Sequence, residues 1–549
     1  MTQAQYTPSE AVDFVVVGTG AAGGVMVKEL AAAGFRVVAL EQGPYFREKD
    51  FQHDEIGHIF LHALTNDPNL QPTTFRKTAT EQARRQWAVL YGRQVGGGSV
   101  HFTANYWRFH EADFIERSRW GSIVGTGLDD WPITYAELEP YYTKAEEEIG
   151  VSGQAGANPF EPWRSKPYPL PPLPVKSSGV IFERAAKKLG LHPYPAPLAI
   201  LSRAYRGRAA CVHCGYCMQF GCEVGAKSST LAALIPLAEQ TGRCEIRPHS
   251  YARKIELGRD GRVTGVIYYD ARRREVFQRA KAVVVCANGA ETPRLLLMST
   301  SNRFPQGLAN SSGLVGKYLM FDAGALCAGL FEHPLNEYKS VQVSRLVQDF
   351  YDADPRRGFY GGGGIDARFQ YYPVTFALEG MPPDAPRWGP EFKAMLGELF
   401  PRTMTVLSHS TCLPLQQNSI SLDPELKDSW GLPVLRVTFK NHPDDLKIMQ
   451  FLLERQMEIL EAAGARKRWA FPIEEVTFSA HLMGTCRMGN DPSRSVVDPH
   501  HRAHDVPNLF LVDGSSLVTS GRQQPTCTIQ ALAYRAADHI TRLAQSGRI

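Results

Sequence analysis

Residues 11–24 have the sequence Ala11-Val12-Asp13-Phe14-Val15-Val16-Val17-Gly18-Thr19-Gly20-Ala21-Ala22-Gly23-Gly24. The mainly apolar run of residues 11–17 predicts a buried parallel β-strand. A Gly-x-Gly-x-x-Gly turn follows this strand directly, and the next residues have a helical pattern that Gly34 ends. A second strand is predicted for residues 36–40. The stretch therefore predicts a β-α-β unit with glycines between the first strand and the helix.

The glycine turn has the chemistry of a dinucleotide-binding site. Its first glycine permits the tight turn, its second lets the backbone approach a pyrophosphate, and its third lets helix and strand pack closely. The helix N-terminus favours an anion, and an acidic side chain 21 residues after Gly20 is placed to accept hydrogen bonds from a ribose. Both FAD and NAD fit this motif. The residues expected to hold the dinucleotide here are Gly18, Gly20, Ala21, Ala22, Gly23, Glu41 and Gln42.

The composition excludes several classes of protein. A chain of 549 residues, 43% hydrophobic and 21% charged, has the make-up of a globular enzyme with two or three domains. A net charge of +4 does not favour nucleic acid or an anionic membrane as a partner. No apolar stretch approaches the ~18 residues of a membrane helix, and residues 1–10 lack the pattern of a signal peptide. We expect no membrane span and no export signal of its own.

Three later segments extend the predicted cofactor site. A second glycine-rich loop, residues 91–99, continues into a stretch rich in aromatic and polar side chains. A predicted strand at residues 281–286 opens into a turn and a helix with Pro293 at its first positions. Another strand begins at Asn508. The residues expected to contact the cofactor in these segments are Arg93, Gly97, Gly98, Ser99, His101, Asn105, Ala287, Gly289, Asp513 and Gly514.

The last helix starts after the sequence Gln523-Gln524-Pro525-Thr526. Proline is common at the first helical position, so Pro525 marks the start. The start of a helix exposes free N–H groups and carries a partial positive charge. This charge suits the anionic pyrimidine edge of a reduced flavin. We therefore expect Pro525 and Thr526 to contact the cofactor.

Four cysteines lie within twelve residues, at Cys211, Cys214, Cys217 and Cys222. This spacing lets the four sulfurs point inward from one loop, which suits an iron–sulfur cluster or, less often, a zinc ion. The other six cysteines are scattered singly and are expected to be small core residues.

Four motifs in order resemble those of the glucose-methanol-choline (GMC) oxidoreductase family. They are the first glycine turn, the second glycine-rich loop, Gly289-Ala290-Glu291-Thr292-Pro293, and the segment that begins at His481. The resemblance extends from about residue 11 to residue 545 and is weakest over residues 321–475. It implies an FAD-dependent oxidoreductase that acts on CH–OH groups.

The resemblance also implies an α/β fold in which a Rossmann-type FAD-binding domain is discontinuous. This domain is predicted to comprise residues 1–155, 200–320 and 476–549, including the cysteine loop. Residues 156–199, rich in proline, are predicted as a linker or lid. Alternating apolar patterns predict a mostly antiparallel sheet plus helix for residues 321–475, the substrate-binding domain.

The cysteine loop makes the chain more similar to the bacterial sugar dehydrogenases of this family. These include gluconate 2-dehydrogenase, fructose dehydrogenase, glucose dehydrogenase and glucoside 3-dehydrogenase. The similarity implies a 3Fe-4S or 4Fe-4S cluster that passes electrons singly to a cytochrome or another acceptor. It also implies a small chaperone-like subunit that carries an export signal, and hence a periplasmic location; without that subunit a cytoplasmic location is expected.

The resemblance implies that His481 takes the substrate hydroxyl proton while hydride moves to flavin N5. Where the family has His or Asn before the proline of the last helix, this chain has Gln524. Gln524 can hydrogen-bond the substrate oxygen but does not take a proton, so we expect His481 to be the only base. His101 resembles a histidine bonded covalently to FAD in a distant family member; covalent and non-covalent contacts are both open.

The predicted function is an FAD-dependent dehydrogenase for an alcohol group of a sugar, glycoside or sugar acid, with electrons leaving through the cluster. Three alternatives stay open. The first is an oxidase that reduces O₂, with a structural zinc at the cysteines. The second is a non-redox FAD lyase, and the third is a nicotinamide-dependent enzyme.

Overall fold

The computed structural model describes residues 5–549. In chain order its strands are β1 (Val12–Val17), β2 (Val37–Leu40), β3 (Thr73–Arg76), β4 (Arg84–Arg85), β5 (Tyr194–Pro195), β6 (Cys244–Arg247), β7 (Tyr251–Leu257), β8 (Val263–Tyr269), β9 (Glu275–Val285), β10 (Leu326–Leu330), β11 (Val343–Val347), β12 (Gly363–Arg368), β13 (Thr403–Ser410), β14 (Ser419–Lys427), β15 (Pro433–Thr438), β16 (Lys467–Ala470) and β17 (Leu509–Leu511).

The α-helices are α1 (Ala21–Ala32), α2 (Gly98–His101), α3 (Glu116–Trp120), α4 (Tyr135–Ile149), α5 (Ser177–Lys188), α6 (Thr230–Ala233), α7 (Ile235–Gln240), α8 (Asn288–Met298), α9 (Pro373–Thr375), α10 (Gly389–Leu399), α11 (Pro443–Ala462) and α12 (Thr526–Gln545). Over residues 5–549, none of the helices combines the length and the apolar character needed to span a bilayer.

The first sheet has seven strands. Its parallel part has the order β6, β2, β1, β9 and β17, and β7 and β8 extend it by antiparallel pairing with the first half of β9. All residues of β1 except Asp13 are buried, and α1 packs against α12 on this sheet. The β-α-β unit predicted from residues 11–40 is confirmed, and Gly34, with φ +95°, follows the end of α1.

The carboxyl ends of three parallel strands coincide at one edge of this sheet. Val17 of β1 lies opposite Val285 of β9, which in turn lies opposite Leu511 of β17. The three loops that follow therefore start side by side. They carry the first glycine turn, Ala287 and Asp513, which brings together motifs that are far apart in the chain.

The second sheet has six strands in the order β16, β10, β13, β12, β11 and β5, and every pairing is antiparallel. Helix α11 packs on β13, and α5 packs on β11. Apolar side chains between them form a separate core that includes Phe182, Ile365 and Leu452. Residues 321–475 therefore contain the predicted antiparallel sheet and its helix.

Two features differ from the expected domain layout. The predicted linker, residues 156–199, contains α5 and β5, and β5 pairs with β11 of the second sheet. A third sheet of four strands joins β3 and β4 to β14 and β15 through parallel pairing of β3 with β15. Residues assigned to two predicted domains therefore share one sheet.

Pro293, predicted among the first residues of its helix, lies inside α8, which begins at Asn288. A proline has no backbone N–H, so the carbonyl of Gly289 loses its partner four residues on. The Thr485 hydroxyl donates to that carbonyl at 2.7 Å instead. This bond replaces the missing helical bond, which allows the helix to start earlier than the sequence suggests.

Candidate active site

Loops and strand ends from the first two sheets line a cavity of about 390 Å³. The predicted site residues that line it are Gly18, Gly20, Ala21, Ala22, Glu41, Gln42, Gly97, Gly98, Ser99, His101, Asn105, Ala287, Gly289, His481, Asp513, Gly514, Gln524, Pro525 and Thr526. Motifs from both ends of the chain therefore meet around one space.

Two predicted cofactor residues do not line this cavity. A Cβ on Gly23 would lie 2.0 Å from the carbonyl oxygen of Gly18, so Gly23 serves the close packing of the turn on its helix. The guanidinium of Arg93 lies over the indole ring of Trp430, 5.6 Å from its centroid. The structure does not bring Arg93 to the cavity.

The two glycine-rich loops touch each other at Gly20 and Gly97. A Cβ on Gly97 would lie 2.6 Å from the Cα of Gly20. Gly18 has φ +89°, which lies in the left-handed region that favours glycine. Both loops therefore present bare backbone to the cavity, as the close approach of a pyrophosphate requires.

Glu41 is buried beside the first glycine turn. Its carboxylate accepts hydrogen bonds from the Thr19 backbone N–H at 3.1 Å, the Thr19 hydroxyl at 2.8 Å and the Gly43 N–H at 3.1 Å. Burial raises the pKa of Glu41 above its ordinary value, although these bonds act in the opposite direction. A carboxylate held in this way keeps acceptor capacity for ribose hydroxyls.

Asp322 joins two histidines that line the cavity. Its Oδ2 lies 2.6 Å from Nδ1 of His409 and 2.7 Å from Nδ1 of His481. A carboxylate only accepts, so both rings donate from Nδ1. Burial alone would raise the pKa of Asp322, but attraction to the two imidazoles and their hydrogen bonds lowers it well below its ordinary value. The arrangement leaves Nε2 of each ring unprotonated when the ring is neutral.

The two imidazoles differ in what Nε2 contacts. The amide N–H of Gln524 donates to Nε2 of His409, and Nη2 of Arg368 lies 3.4 Å from the same nitrogen. Nε2 of His481 has no hydrogen-bond partner in the part of the chain that the structure describes. His481 is therefore the imidazole whose lone pair is free to accept a proton from a substrate hydroxyl.

The sequence predicts His481 alone at this place, whereas the structure adds a second imidazole. His409, Asp322 and Arg368 all belong to residues 321–475, and no motif or spacing distinguishes them there. Met218 and Gln219, which also line the cavity, were likewise not predicted. Only the pairing of strands brings these side chains to the motifs that the sequence reveals.

Several polar atoms in the cavity wall have no partner among residues 5–549. They are Nε2 of His101, Nδ2 and Oδ1 of Asn105, and Oε1 of Gln524, and all are buried. Buried polar atoms are nearly always hydrogen-bonded in proteins, so unpartnered atoms in the wall of a cavity are available to a polar ligand. Together with the bare glycine loops, these atoms fit FAD, the cofactor that the resemblance implies.

His101 is buried in this wall. Burial and the nearby Lys227 cation lower its pKa to about 3, so its ring is neutral at physiological pH. A neutral ring with a free nitrogen suits a non-covalent contact. We expect denaturation in detergent to release all the flavin, measured by absorbance of the filtrate. Flavin fluorescence that stays with the wild-type band on a denaturing gel, and is lost in His101→Ala, would instead show a covalent bond.

The cysteine loop, residues 211–222, borders two cavities. All four cysteines line a small cavity of about 20 Å³, while Met218 and Gln219 line the large one. Nζ of Lys227 donates to the carbonyl of Phe102 at 3.0 Å and so ties this region to the chain after α2. No three of the described cysteine sulfurs lie within 4.8 Å of one another. The six cysteines outside the loop are buried, as predicted.

Known proteins resemble this chain over nearly its whole length. Family models described as GMC oxidoreductase match residues 173–322 and 414–533. The 2-methyl-1,2-propanediol dehydrogenase of Mycolicibacterium austroafricanum is 35% identical, over 98% of this chain and 96% of that protein. The gluconate 2-dehydrogenase flavoprotein of Pantoea cypripedii is 29% identical, over 96% of this chain and 93% of that protein.

Among solved structures, pyridoxine 4-oxidase from Mesorbium loti has a TM-score of 0.65 and 19% identity, covering 96% of this chain and 99% of that one. This likeness confirms the predicted fold. The chain belongs to the GMC oxidoreductase family. It is accordingly an FAD-dependent oxidoreductase that acts on CH–OH groups, as predicted.

Proposed function

We propose that the protein is a dehydrogenase that oxidises an alcohol group of a sugar or related polyol and passes the electrons through an iron–sulfur cluster to a partner protein. One relative supports the substrate class, because it is named for dehydrogenating 2-methyl-1,2-propanediol, a compound with two hydroxyl groups and no carboxylate. FAD held in the large cavity would supply the acceptor for the hydride.

The position of the cysteine loop is the observation that carries this proposal. The same twelve residues supply four cysteines to the small cavity and two side chains to the large one. The backbone N–H of Gln219 also donates to the carbonyl of His101 at 2.6 Å, which holds the loop against the cofactor cavity. A metal centre at these cysteines would therefore stand next to the flavin.

The spacing of the sulfurs argues against a single zinc ion. A tetrahedral zinc with Zn–S bonds of about 2.3 Å requires sulfurs ~3.8 Å apart. No three of the four described sulfurs come within 4.8 Å of one another. A cluster has several irons and sulfides between its ligands, so it does not require sulfurs as close together as a single ion does. Backbone N–H groups of His213 and Lys227 donate to the sulfurs of Cys211 and Cys222 at 3.3 and 3.4 Å, contacts of the kind that tune cluster potentials.

The protein groups divide the work on the substrate. His481 accepts the hydroxyl proton on Nε2, and Asp322 holds the ring in the tautomer that leaves this nitrogen free. The negative charge of Asp322 stabilises the imidazolium that forms. Gln524 donates to His409, which keeps that second ring in place. The start of α12 adds partial positive charge at the reacting end.

Loss of the cysteines tests the proposed electron route. In Cys217→Ser we expect iron and acid-labile sulfide to be absent. The substrate should still bleach the flavin anaerobically, but reduction of a haem-protein acceptor should fall to a small fraction of the wild-type rate. Iron analysis, sulfide analysis and stopped-flow absorbance measure these quantities. Cys412→Ala, which changes a buried cysteine outside the loop, is the control and should retain iron.

Wild-type protein without iron, prepared without oxygen, would contradict the cluster. Hydrogen peroxide formed in step with substrate would then indicate an oxidase.

We further propose that the protein is periplasmic and associates with a small subunit that carries an export signal. The resemblance to the bacterial sugar dehydrogenases supports both. Fractionation of host cells that express the chain alone, or together with a small subunit of this kind from a bacterial sugar dehydrogenase, tests this location.

A further inference from the structure

Arg368 is a buried cation at the reacting end of the cavity that the proposed proton transfer does not use. Its side chain lines the cavity and is 5% exposed. Nε and Nη2 donate to the two carboxylate oxygens of Asp366 at 2.9 and 2.6 Å. Nη1 makes no hydrogen bond to any residue from 5 to 549. The guanidinium therefore keeps a free donor beside His409, in the cavity that His481 also lines.

The register of the second sheet explains this placement. Asp366 lies opposite Leu407 and Gly364 lies opposite His409, so Asp366, Arg368 and His409 share one face of the sheet. Arg368 reaches back over Asp366 to within 3.4 Å of His409. The bidentate contact with Asp366 fixes the plane of the guanidinium and so fixes the direction of Nη1.

The charges at this end favour an uncharged substrate. The negative charge of Asp366 neutralises the positive charge of the Arg368 guanidinium. Asp322 adds a second carboxylate, which within residues 5–549 pairs only with the imidazoles of His409 and His481. A substrate carboxylate would meet net negative charge in a buried space, where charges interact strongly. A hydroxyl or ether oxygen would accept from Nη1 without this repulsion.

We propose that Arg368 binds the substrate by donating from Nη1 to an oxygen other than the one that reacts. Asp366 neutralises the guanidinium, so the site prefers uncharged polyhydroxy compounds to carboxylates. The inference rests on the proposed function, because it assumes that an alcohol reacts at His481. It narrows the substrate to compounds with at least two oxygens and no carboxylate near the reacting carbon. A monohydroxy alcohol leaves Nη1 unpaired, and sites built to hydrogen-bond a hydroxyl reject analogues that lack it.

Three small compounds of matched size test the proposal: 1,2-propanediol, 2-propanol and lactate. Anaerobic stopped-flow measurement of flavin reduction gives the rate constant and apparent Kd for each. In the wild type we expect the diol to be preferred to both others. Arg368→Gln should lower the ratio of the rate constant to the apparent Kd for the diol by roughly 10–100-fold, mainly by raising the Kd. The rate constant and Kd for 2-propanol should stay nearly unchanged. Asp366→Asn should shift the preference towards lactate by roughly tenfold.

Equal loss for the diol and for 2-propanol in Arg368→Gln would overturn the proposal, as would a wild type that prefers lactate. Breaking a buried ion pair can impair folding. The double variant Asp366→Asn/Arg368→Gln removes both charges and should show the same loss for the diol. Thermal midpoint and FAD content measured on every variant identify protein that is not folded.

A separate measurement distinguishes this inference from the proposed function. In His481→Ala, binding without turnover is followed by the change in oxidised-flavin absorbance on addition of glucose or gluconate. If His481→Ala binds glucose more tightly than gluconate, and the double variant His481→Ala/Arg368→Gln does not, the result supports the role of Arg368. This holds even if no compound bleaches the wild-type flavin. Tighter binding of gluconate, or no effect of Arg368→Gln, overturns that role. Failure of every alcohol to bleach the wild type counts against the proposed dehydrogenase alone.

Discussion

His481→Ala is expected to slow anaerobic flavin reduction by roughly 10²–10⁴-fold, the usual contribution of a positioned general base. The reason is that Nε2 of His481 is the free imidazole nitrogen, since Asp322 holds Nδ1 and Gln524 contacts the neighbouring ring. The loss should fall on the reduction rate constant and much less on the apparent Kd of the substrate. Stopped-flow absorbance with a sugar that reduces the wild type measures both.

A matched control is available on the surface. Nδ1 of His192 lies 2.7 Å from a carboxylate oxygen of Asp349, so it forms the same kind of pair away from the cavity. His192→Ala should leave the reduction rate unchanged. An unchanged rate in His481→Ala, with FAD still bound, would remove His481 from the mechanism and leave His409 as the base to examine.

Asp322→Asn is expected to slow flavin reduction by roughly 10²–10⁴-fold while FAD content stays the same. A carboxylate accepts from Nδ1 of both rings, whereas an amide can donate to one of them. If the amide donates to Nδ1 of His481, the ring proton of His481 moves to Nε2. This nitrogen then no longer accepts a proton from the substrate. The variant also removes the negative charge that stabilises the imidazolium. Stopped-flow reduction and flavin absorbance measure the two quantities.

The pKa of Asp322 determines how this result depends on pH. Attraction to the two imidazoles outweighs burial and lowers the pKa below its ordinary value of 3.8. Asp322 is therefore ionised in any neutral or mildly acidic assay, so pH alone does not mimic the variant. A lowered folded-state pKa stabilises the fold above the ordinary pKa, and this contribution is lost only as pH falls through the folded value.

Asp349→Asn, in the exposed pair with His192, is the control for the change of carboxylate to amide. It should keep wild-type reduction kinetics. If Asp322→Asn reduces at the wild-type rate with a weakened substrate Kd, Asp322 shapes the binding site and does not set the tautomer. Loss of FAD from the variant would show a structural role only.

The nucleotide half of the site was predictable because its chemistry is local. The turn at Gly18 and the loop at Gly97 each need glycine for a backbone reason that holds within a few residues. The same holds for Pro525 at a helix start. Arg93 shows the limit of this reasoning, since it lies in a glycine-rich loop that the cavity uses, yet its side chain turns to Trp430.

The substrate end of the site could not be predicted in this way, because its residues lie far apart in the sequence. Asp322 and His409 are separated by 87 residues, and Asp322 and His481 by 159. The residues around Asp322 in the sequence do not predict its contact with the two histidines, because that contact depends on which strands pair. The sequence shows that Gln524 stands where the family has His or Asn, but it does not show that Gln524 contacts His409 of β13.

The dinucleotide fold, the family and the cysteine loop could therefore be predicted without a structure, because short motifs with fixed spacing encode each of them. The second imidazole, its carboxylate and the buried arginine beside them could be recognised only from the folded chain. Their positions follow from the antiparallel register of β12 and β13 and from how that sheet packs over the cofactor cavity, which are properties of distant contacts and not of neighbouring residues.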